Sequence, residues 1–387
     1  MVFLLLAAAL LLSPVTATAA ADDLACNQQP GNRYFWLERA FCDLPAHGPE
    51  RAAGVVIWNH GISGTTQSWM APAPPALRLL QARGWDVTML KRHHAAESSG
   101  NTLYRTVTRT LEEAKTLKKA GYRKVALAGQ SFGGYVTLEA IDTAGDIDAA
   151  IALAPGVRSS SASGSLDASV TDRILQSAKV GRLALVFPKN DSLFNYQVRG
   201  TSAQSILSRR ALPYLLLDET TDISEHGGGV TGRFALRYGP CLVEFLAAEK
   251  PPGSRFTCPS RPADEWPIVR ELLLPAAADR PQLAAPDSAF PAPVGTLAGY
   301  RWALLGDSLV LVAPVDAGHG QLRLLYTSTG FKGGVVDAAV KDGAIHATLS
   351  NKATVVLKPE GDGVITWTAS DRSRSIEAPL VRGRETD

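Results

Sequence analysis

Ser131 stands in the run Gly129-Gln130-Ser131-Phe132-Gly133-Gly134-Tyr135, and His226 in Ser224-Glu225-His226-Gly227-Gly228-Gly229. A serine hydroxyl is a weak nucleophile until a base takes its proton, so the two residues suggest acyl transfer only if folding brings them together. A carboxylate must then hold the second imidazole nitrogen, and Asp191, which ends the stretch that begins at Leu183, is the first candidate. Gly-x-Ser-x-Gly is short, and a chain with 34 glycines can carry it by chance. The flanking elements decide its meaning.

From Gly54 to about Leu246 short apolar runs alternate with helical patterns, as in a sheet built from right-handed βαβ units. Strands are predicted at Val55 to Trp58, Asp86 to Leu90, Val125 to Ala128, Ala149 to Leu153, Leu183 to Phe187 and Pro213 to Leu217. Helical spacing marks Asn101 to Ala120, Tyr135 to Thr143, Ala168 to Ser177 and Gly232 to Glu249. The strand at Val125 runs directly into the serine motif and a helix follows it. Such a tight strand-to-helix turn strains the serine backbone and lifts its hydroxyl above the sheet.

The same elements sort the seven histidines. His47 precedes the first of these strands, His60, His93 and His94 follow early strands, and His319 and His346 fall in a later segment of different period. His226 alone follows the last strand of the alternating region. Among the acids, Asp218, Glu219, Asp222 and Glu225 crowd His226 but share its strand and loop, so Asp191 is preferred and Asp222 is next. Backbone N–H groups aimed at a developing oxyanion contribute about 3–4 kcal/mol each. The Phe132 N–H follows the nucleophile directly. The second donor is expected in Asn59-His60-Gly61-Ile62-Ser63-Gly64, at the Ile62 N–H, with His60 as a buttress of that loop.

Residues 259–293 hold eight prolines and read as a wrapping linker without a long regular element. Beyond them the period becomes two, in runs from Ser308 to Val312, Gln321 to Thr327, Val335 to Val340, Ala344 to Leu349, Thr354 to Leu357 and Val364 to Thr368, with Asp342-Gly343 as a turn. The expected organisation is a signal peptide over 1–21, an α/β domain with an N-terminal extension over 22–258, the linker, and a small antiparallel β domain over 294–387.

The signal peptide rests on eleven apolar residues, Val2 to Leu12, followed by small residues near a cleavage point at 19–21. Eleven residues rise only about 16 Å as a helix, short of a bilayer core, so no membrane span is expected after cleavage. Export to the periplasm or medium permits disulfides, and the nearest pairings are Cys26 with Cys42 and Cys241 with Cys258. A net charge of +2 gives no field that would imply a nucleic acid. The expected serine, histidine and aspartate chemistry needs no metal or organic cofactor, and no cysteine stands in a zinc-type spacing. Lys91-Arg92-His93-His94 follows a strand and could attract an anionic acyl or leaving group, or be a solvated basic loop. Trp69, Phe194 and Tyr196 could line a pocket or simply pack. Oligomeric state has no signature.

With HGISG after an early strand, GQSFGGY at the turn, and Asp191 and His226 following in that order, the chain resembles the α/β-hydrolase superfamily over about residues 50–250. The elbow looks most like those of the prolyl oligopeptidase and dienelactone hydrolase groups. The resemblance implies a doubly wound, mostly parallel sheet and acyl-enzyme chemistry on an ester, thioester or amide. Two features depart from those groups: only about 30 mature residues stand where prolyl oligopeptidases carry a propeller, and dienelactone hydrolases use a cysteine where this chain has Ser131. The reading is a serine esterase or related acyl hydrolase acting on a small molecule. A small-peptide peptidase and a binding protein on a hydrolase scaffold are the alternatives.

Overall fold

The computed structural model describes residues 24, 26, 28, 31, 33–62, 70–97, 101–143, 146–156, 168–193, 196–248, 255–258, 266–275, 279–284, 294–316, 321–329 and 331–383. The expected signal peptide and cleavage point, at 1–21, lie outside these residues, as does the serine-rich run 159–165.

Eight strands form the first sheet: β1 (Phe35–Arg39), β2 (Gly54–Asn59), β3 (Trp85–Arg92), β4 (Val125–Gln130), β5 (Ala149–Leu153), β6 (Leu183–Val186), β7 (Tyr214–Leu217) and β8 (Arg255–Phe256). Their spatial order is β1-β3-β2-β4-β5-β6-β7-β8. β1 runs antiparallel to β3, and all other neighbours are parallel. The helices are α1 (Gly48–Arg51), α2 (Pro75–Ala82), α3 (His94–Glu97), α4 (Thr102–Lys119), α5 (Phe132–Thr143), α6 (Ala168–Ser177), α7 (Tyr196–Arg209), α8 (Gly232–Ala247) and α9 (Trp266–Leu273).

Alternation along each strand assigns side chains to opposite faces. In β2, Val56 and Trp58 join a core with Leu77 and Leu80 of α2, Phe234 and Phe245 of α8 and Val269 of α9. Val55 and Ile57 join the opposite core, with Val107 of α4, Val136 and Ile141 of α5, Ile174 of α6 and Leu207 of α7. Each such side chain, fully buried, contributes roughly 1.5–3 kcal/mol. The sheet is therefore a stiff platform with helices on both faces, and the loops at the carboxyl ends of its strands are held from below.

Two features add to the sequence reading. The strand β1 and the helix α7, of weak periodicity, and the short amphipathic helix α2 have no counterpart in it. The proline-rich stretch, expected to hold no long regular element, contains the short helix α9, whose Trp266-Pro267 start puts proline in the first helical turn, where no N–H is missed. Ile268, Val269, Leu272 and Leu273 of α9 are then buried on the sheet domain.

The second sheet has nine antiparallel strands: β9 (Arg301–Leu305), β10 (Ser308–Asp316), β11 (Leu322–Ser328), β12 (Phe331–Lys341), β13 (Ala344–Thr348), β14 (Thr354–Lys358), β15 (Val364–Thr368), β16 (Ser375–Pro379) and β17 (Val381–Arg382). β9 to β16 are a simple meander, and β17 pairs with β9, so the sheet curls into a nearly closed barrel. Asp342 and Gly343, at φ 51° and 73°, make the expected tight hairpin between β12 and β13. Leu324, Ile345, Val355, Leu357 and Ile365 fill its interior.

The barrel is packed against the sheet domain. Trp302, Leu309 and Leu311 share the core that holds α8 and α9. At the first residue of α8, a Cβ on Gly232 would stand 2.4 Å from Thr329 Oγ1 and 2.6 Å from the Leu309 nitrogen, so a side chain has no room there. The next residue, Arg233, donates its backbone N–H to the Asp307 carbonyl (3.1 Å) and its guanidinium to the Gly306 carbonyl and the Asp307 carboxylate, both at 3.0 Å.

Candidate active site

Ser131 sits between the last residue of β4 and the first of α5 with φ at 55°, a left-handed conformation that L-residues avoid. Three backbone hydrogen bonds hold it there: its N–H donates to the Leu153 carbonyl (3.0 Å), and its carbonyl accepts from the N–H groups of Tyr135 (3.0 Å) and Gly156 (3.1 Å). The surrounding glycines permit the tight turn. A Cβ on Gly129 would stand 2.1 Å from the Gly133 oxygen, and one on Gly133 would stand 1.9 Å from the Asn59 oxygen. Helix α5 thus starts in direct backbone contact with its own strand and with the end of β2.

Asp191 and His226 follow the neighbouring strands β6 and β7. The two chains stay paired past the strands, through a bridge between Lys189 and Ser224. The next residue of each, Asn190 at φ 56° and Glu225 at φ 63°, turns left-handed. Asp191 and His226 come next, and His226 Nδ1 lies 3.0 Å from Asp191 Oδ2. A carboxylate can only accept, so Nδ1 carries the proton and Nε2 of the neutral ring is the basic nitrogen. Asp191 Oδ1 accepts the Leu193 N–H at 2.9 Å. Gln130 ties this loop to the elbow: its Nε2 donates to the His226 carbonyl at 3.2 Å.

A buried arginine stands behind the acid. Arg199 stacks on Phe187 (4.6 Å to the ring centre) and donates to the Pro155 carbonyl at 2.6 Å. Burial pulls its pKa down to about 10, against the charges of Asp191 and Asp172, which oppose the shift. Nothing in the sequence marked Arg199, because it lies inside a helix of weak amphipathic pattern.

The rival residues have other partners. Asp222 accepts the Tyr238 hydroxyl (2.6 Å) and pairs with Arg237. Asp218 Oδ1 accepts the Thr220 hydroxyl at 2.7 Å and the Thr220 N–H at 3.1 Å. His47 Nε2 lies 2.9 Å from the Gln81 carbonyl, and His346 is on β13 of the barrel. His319 is outside the described residues, as are Trp69 and Phe194.

The loop after β2 reaches the elbow: a Cβ on Gly61 would stand 3.4 Å from Ser131 Cβ. Ile62 follows it with its side chain exposed, and the loop's next residues, from Ser63, are outside the description. Phe132, whose N–H is the other expected donor, is the first residue of α5.

Lys91 and Arg92 of the basic run, at the end of β3, are buried, whereas His93 is half-buried and His94 exposed. Lys91 pairs with Glu38 at 3.0 Å, and Arg92 is fully buried with its Nε 3.5 Å from Glu97 Oε1. Arg92 Nη2 donates to the carbonyls of His60 and of Gly61, the latter at 3.1 Å. The Arg92 N–H donates to His60 Nε2 (3.1 Å), which fixes Nδ1 as the protonated nitrogen, facing the Gly61 carbonyl at 2.8 Å. Burial, and after it the charge of Arg92, hold the His60 pKa well below its ordinary value, so the ring is neutral. Burial also draws Arg92 down to about 10, opposed by Glu97. The ring of Phe132 lies 5.0 Å from the guanidinium carbon.

Cys26 is bonded to Cys42 and Cys241 to Cys258. Among the described residues, no three His, Cys, Asp or Glu side chains converge as a metal site, and no helix is long and apolar enough to cross a membrane.

No protein-family profile and no curated protein sequence matches the chain. Solved structures similar to it include an esterase of Pyrococcus furiosus, 14% identical over 57% of this chain and 94% of its own, with a TM-score of 0.40. Est1E from Butyrivibrio proteoclasticus, solved with ferulic acid, is 16% identical over 55% of this chain and 93% of its own, also at 0.40. A Klebsiella pneumoniae protein provisionally named a dienelactone hydrolase is 12% identical over 56% and 99%, at 0.37. By its strand order, its antiparallel first strand and the serine elbow after the central β4, the sheet domain of this chain has the α/β-hydrolase fold.

Proposed function

We propose that the protein is an exported serine hydrolase that cleaves an ester or related acyl bond of a small molecule through an acyl-enzyme. The observation that carries this reading is the His226–Asp191 pair at 3.0 Å, on a loop bonded through Gln130 to the strained turn bearing Ser131. In the proposed cycle, Ser131 Oγ adds to the acyl carbon while His226 Nε2 takes its proton. Asp191 keeps the ring oriented and stabilises the imidazolium. The Phe132 and Ile62 N–H groups receive the oxyanion. Collapse of the adduct breaks the bond to the leaving group, to which His226 returns the proton. Water, activated by the same ring, then releases the acid and restores Ser131.

Export is supported by the two disulfides, which persist in oxidising compartments. A fluorophosphonate probe tests the centre: wild type is expected to label, and Ser131→Ala and His226→Ala are not. Labelling that survives Ser131→Ala overturns the assignment. Turnover of chromogenic acyl esters but not aminoacyl anilides distinguishes an esterase from a peptidase, and turnover of neither indicates a binding protein.

A further inference from the structure

The oxyanion donors named above belong to two different segments, one after β2 and one at the start of α5. In a trans peptide the carbonyl and the following N–H point in opposite directions. Whatever holds the Gly61 carbonyl therefore also aims the Ile62 N–H. Two groups hold it, His60 Nδ1 at 2.8 Å and Arg92 Nη2 at 3.1 Å. The same guanidinium lies against the ring of Phe132, whose own N–H is the other donor. It is in turn held by Glu97, with both side chains almost wholly buried.

We propose that Arg92 is a positioning residue for the oxyanion hole: its guanidinium joins the Gly61–Ile62 peptide to Phe132 and so sets the direction and spacing of both donors. This deepens the serine-hydrolase reading and rests on it. Arginine suits the position because one guanidinium nitrogen, Nη2, bonds two successive carbonyls while the delocalised cation stays over an aromatic ring. Lysine offers a point charge that can do only one of these. Arg92 touches no reacting atom, so its effect must pass through the peptide it holds.

The test uses the full chain. Arg92→Lys and Phe132→Leu, the latter keeping the backbone donor but removing the ring face, are compared with wild type for p-nitrophenyl acetate hydrolysis. Inhibition by an alkyl trifluoromethyl ketone, which forms a tetrahedral oxyanion on the serine, is measured in parallel. Arg92→Lys is expected to lose about 10²-fold in kcat, as for a misaimed oxyanion donor, with KM within about threefold. The ketone should weaken by the same factor as kcat/KM, because it reports the transition state. Phe132→Leu should lose about fivefold to tenfold in the same pattern. Folded variants with unchanged kcat, or with lower kcat but undiminished ketone affinity, overturn the proposal. If Arg92→Lys does not fold, the same criteria applied to Phe132→Leu decide. A wild type that neither labels with fluorophosphonate nor turns over any ester removes the serine-hydrolase reading, and this proposal falls with it. A labelling, active wild type with an equally active Arg92→Lys removes this proposal alone.

Discussion

Asp191 and His226 occupy matching positions on two neighbouring strand extensions, each two residues beyond the bridge between Lys189 and Ser224 and each preceded by a left-handed residue. The pairing of β6 with β7 thereby sets the contact between carboxylate and imidazole, and the loops add only one turn apiece.

Asp191→Asn is expected to lower kcat for ester hydrolysis by about 10⁴-fold, because an amide cannot hold the ring in the productive tautomer. Asp222→Asn should remain within a few fold of wild type, since its partners Tyr238 and Arg237 lie off the reaction path. Steady-state kinetics of the two variants check the assignment, and a larger loss at Asp222 would reverse it.

Gly133→Ala is expected to destabilise the chain by about 3 kcal/mol or more, since backbone must move to admit the Cβ beside the Asn59 oxygen. Gly227→Ala, which meets nothing within 4 Å and has an ordinary helical φ of −87°, should shift stability by no more than about 0.5 kcal/mol. Urea unfolding followed by circular dichroism compares them.

Stability should fall with pH below about 6.5 through His60. The folded chain refuses a proton there, because burial and then Arg92 hold the pKa well below 6.5. The unfolded chain accepts it, so the unfolded state binds more protons and is favoured by acid. The contribution is complete above the unfolded pKa and is lost by up to about 1.4 kcal/mol per pH unit below it. The urea midpoint of wild type should decline from pH 7.5 to pH 5 more steeply than that of His60→Asn, with equal slopes contradicting the assignment.

Thiol titration in denaturant without reductant should find no reactive cysteine. Replacing both Cys241 and Cys258 by alanine, which opens a loop with a sequence separation of 17, should cost about 3 kcal/mol. A free thiol in the wild type would refute the pairing.

Much of this architecture is legible in sequence because its signals are local. The run Val125 to Ala128, the glycines after it and the helical spacing beyond are contiguous, and they mark the turn at Ser131. The order of strands likewise leaves His226 as the histidine at the right edge. What escaped was set by tertiary contacts that leave no local pattern. Lys91 and Arg92 read as a loop charge cluster, yet β3 extends through both, and their partners Glu38 and Glu97 come from an antiparallel strand and a one-turn helix with no pattern of their own. Helix α9 was hidden for a similar reason. Its prolines suggest irregularity, and only the apolar face offered by the sheet and barrel makes eight helical residues worthwhile.

The clasp of Gly306, Asp307 and Thr329 on the first turn of α8 has a consequence in time. Ribosomes emit roughly 5–20 residues per second, and all the side chains proposed for the reaction exist once residue 226 has been made. Helix α8, which follows the histidine loop, packs on α2, but the clasp on its first turn can form only after residues 306–329 have been synthesised. A nascent chain thus carries the side chains proposed for the reaction for several seconds before this clasp can close.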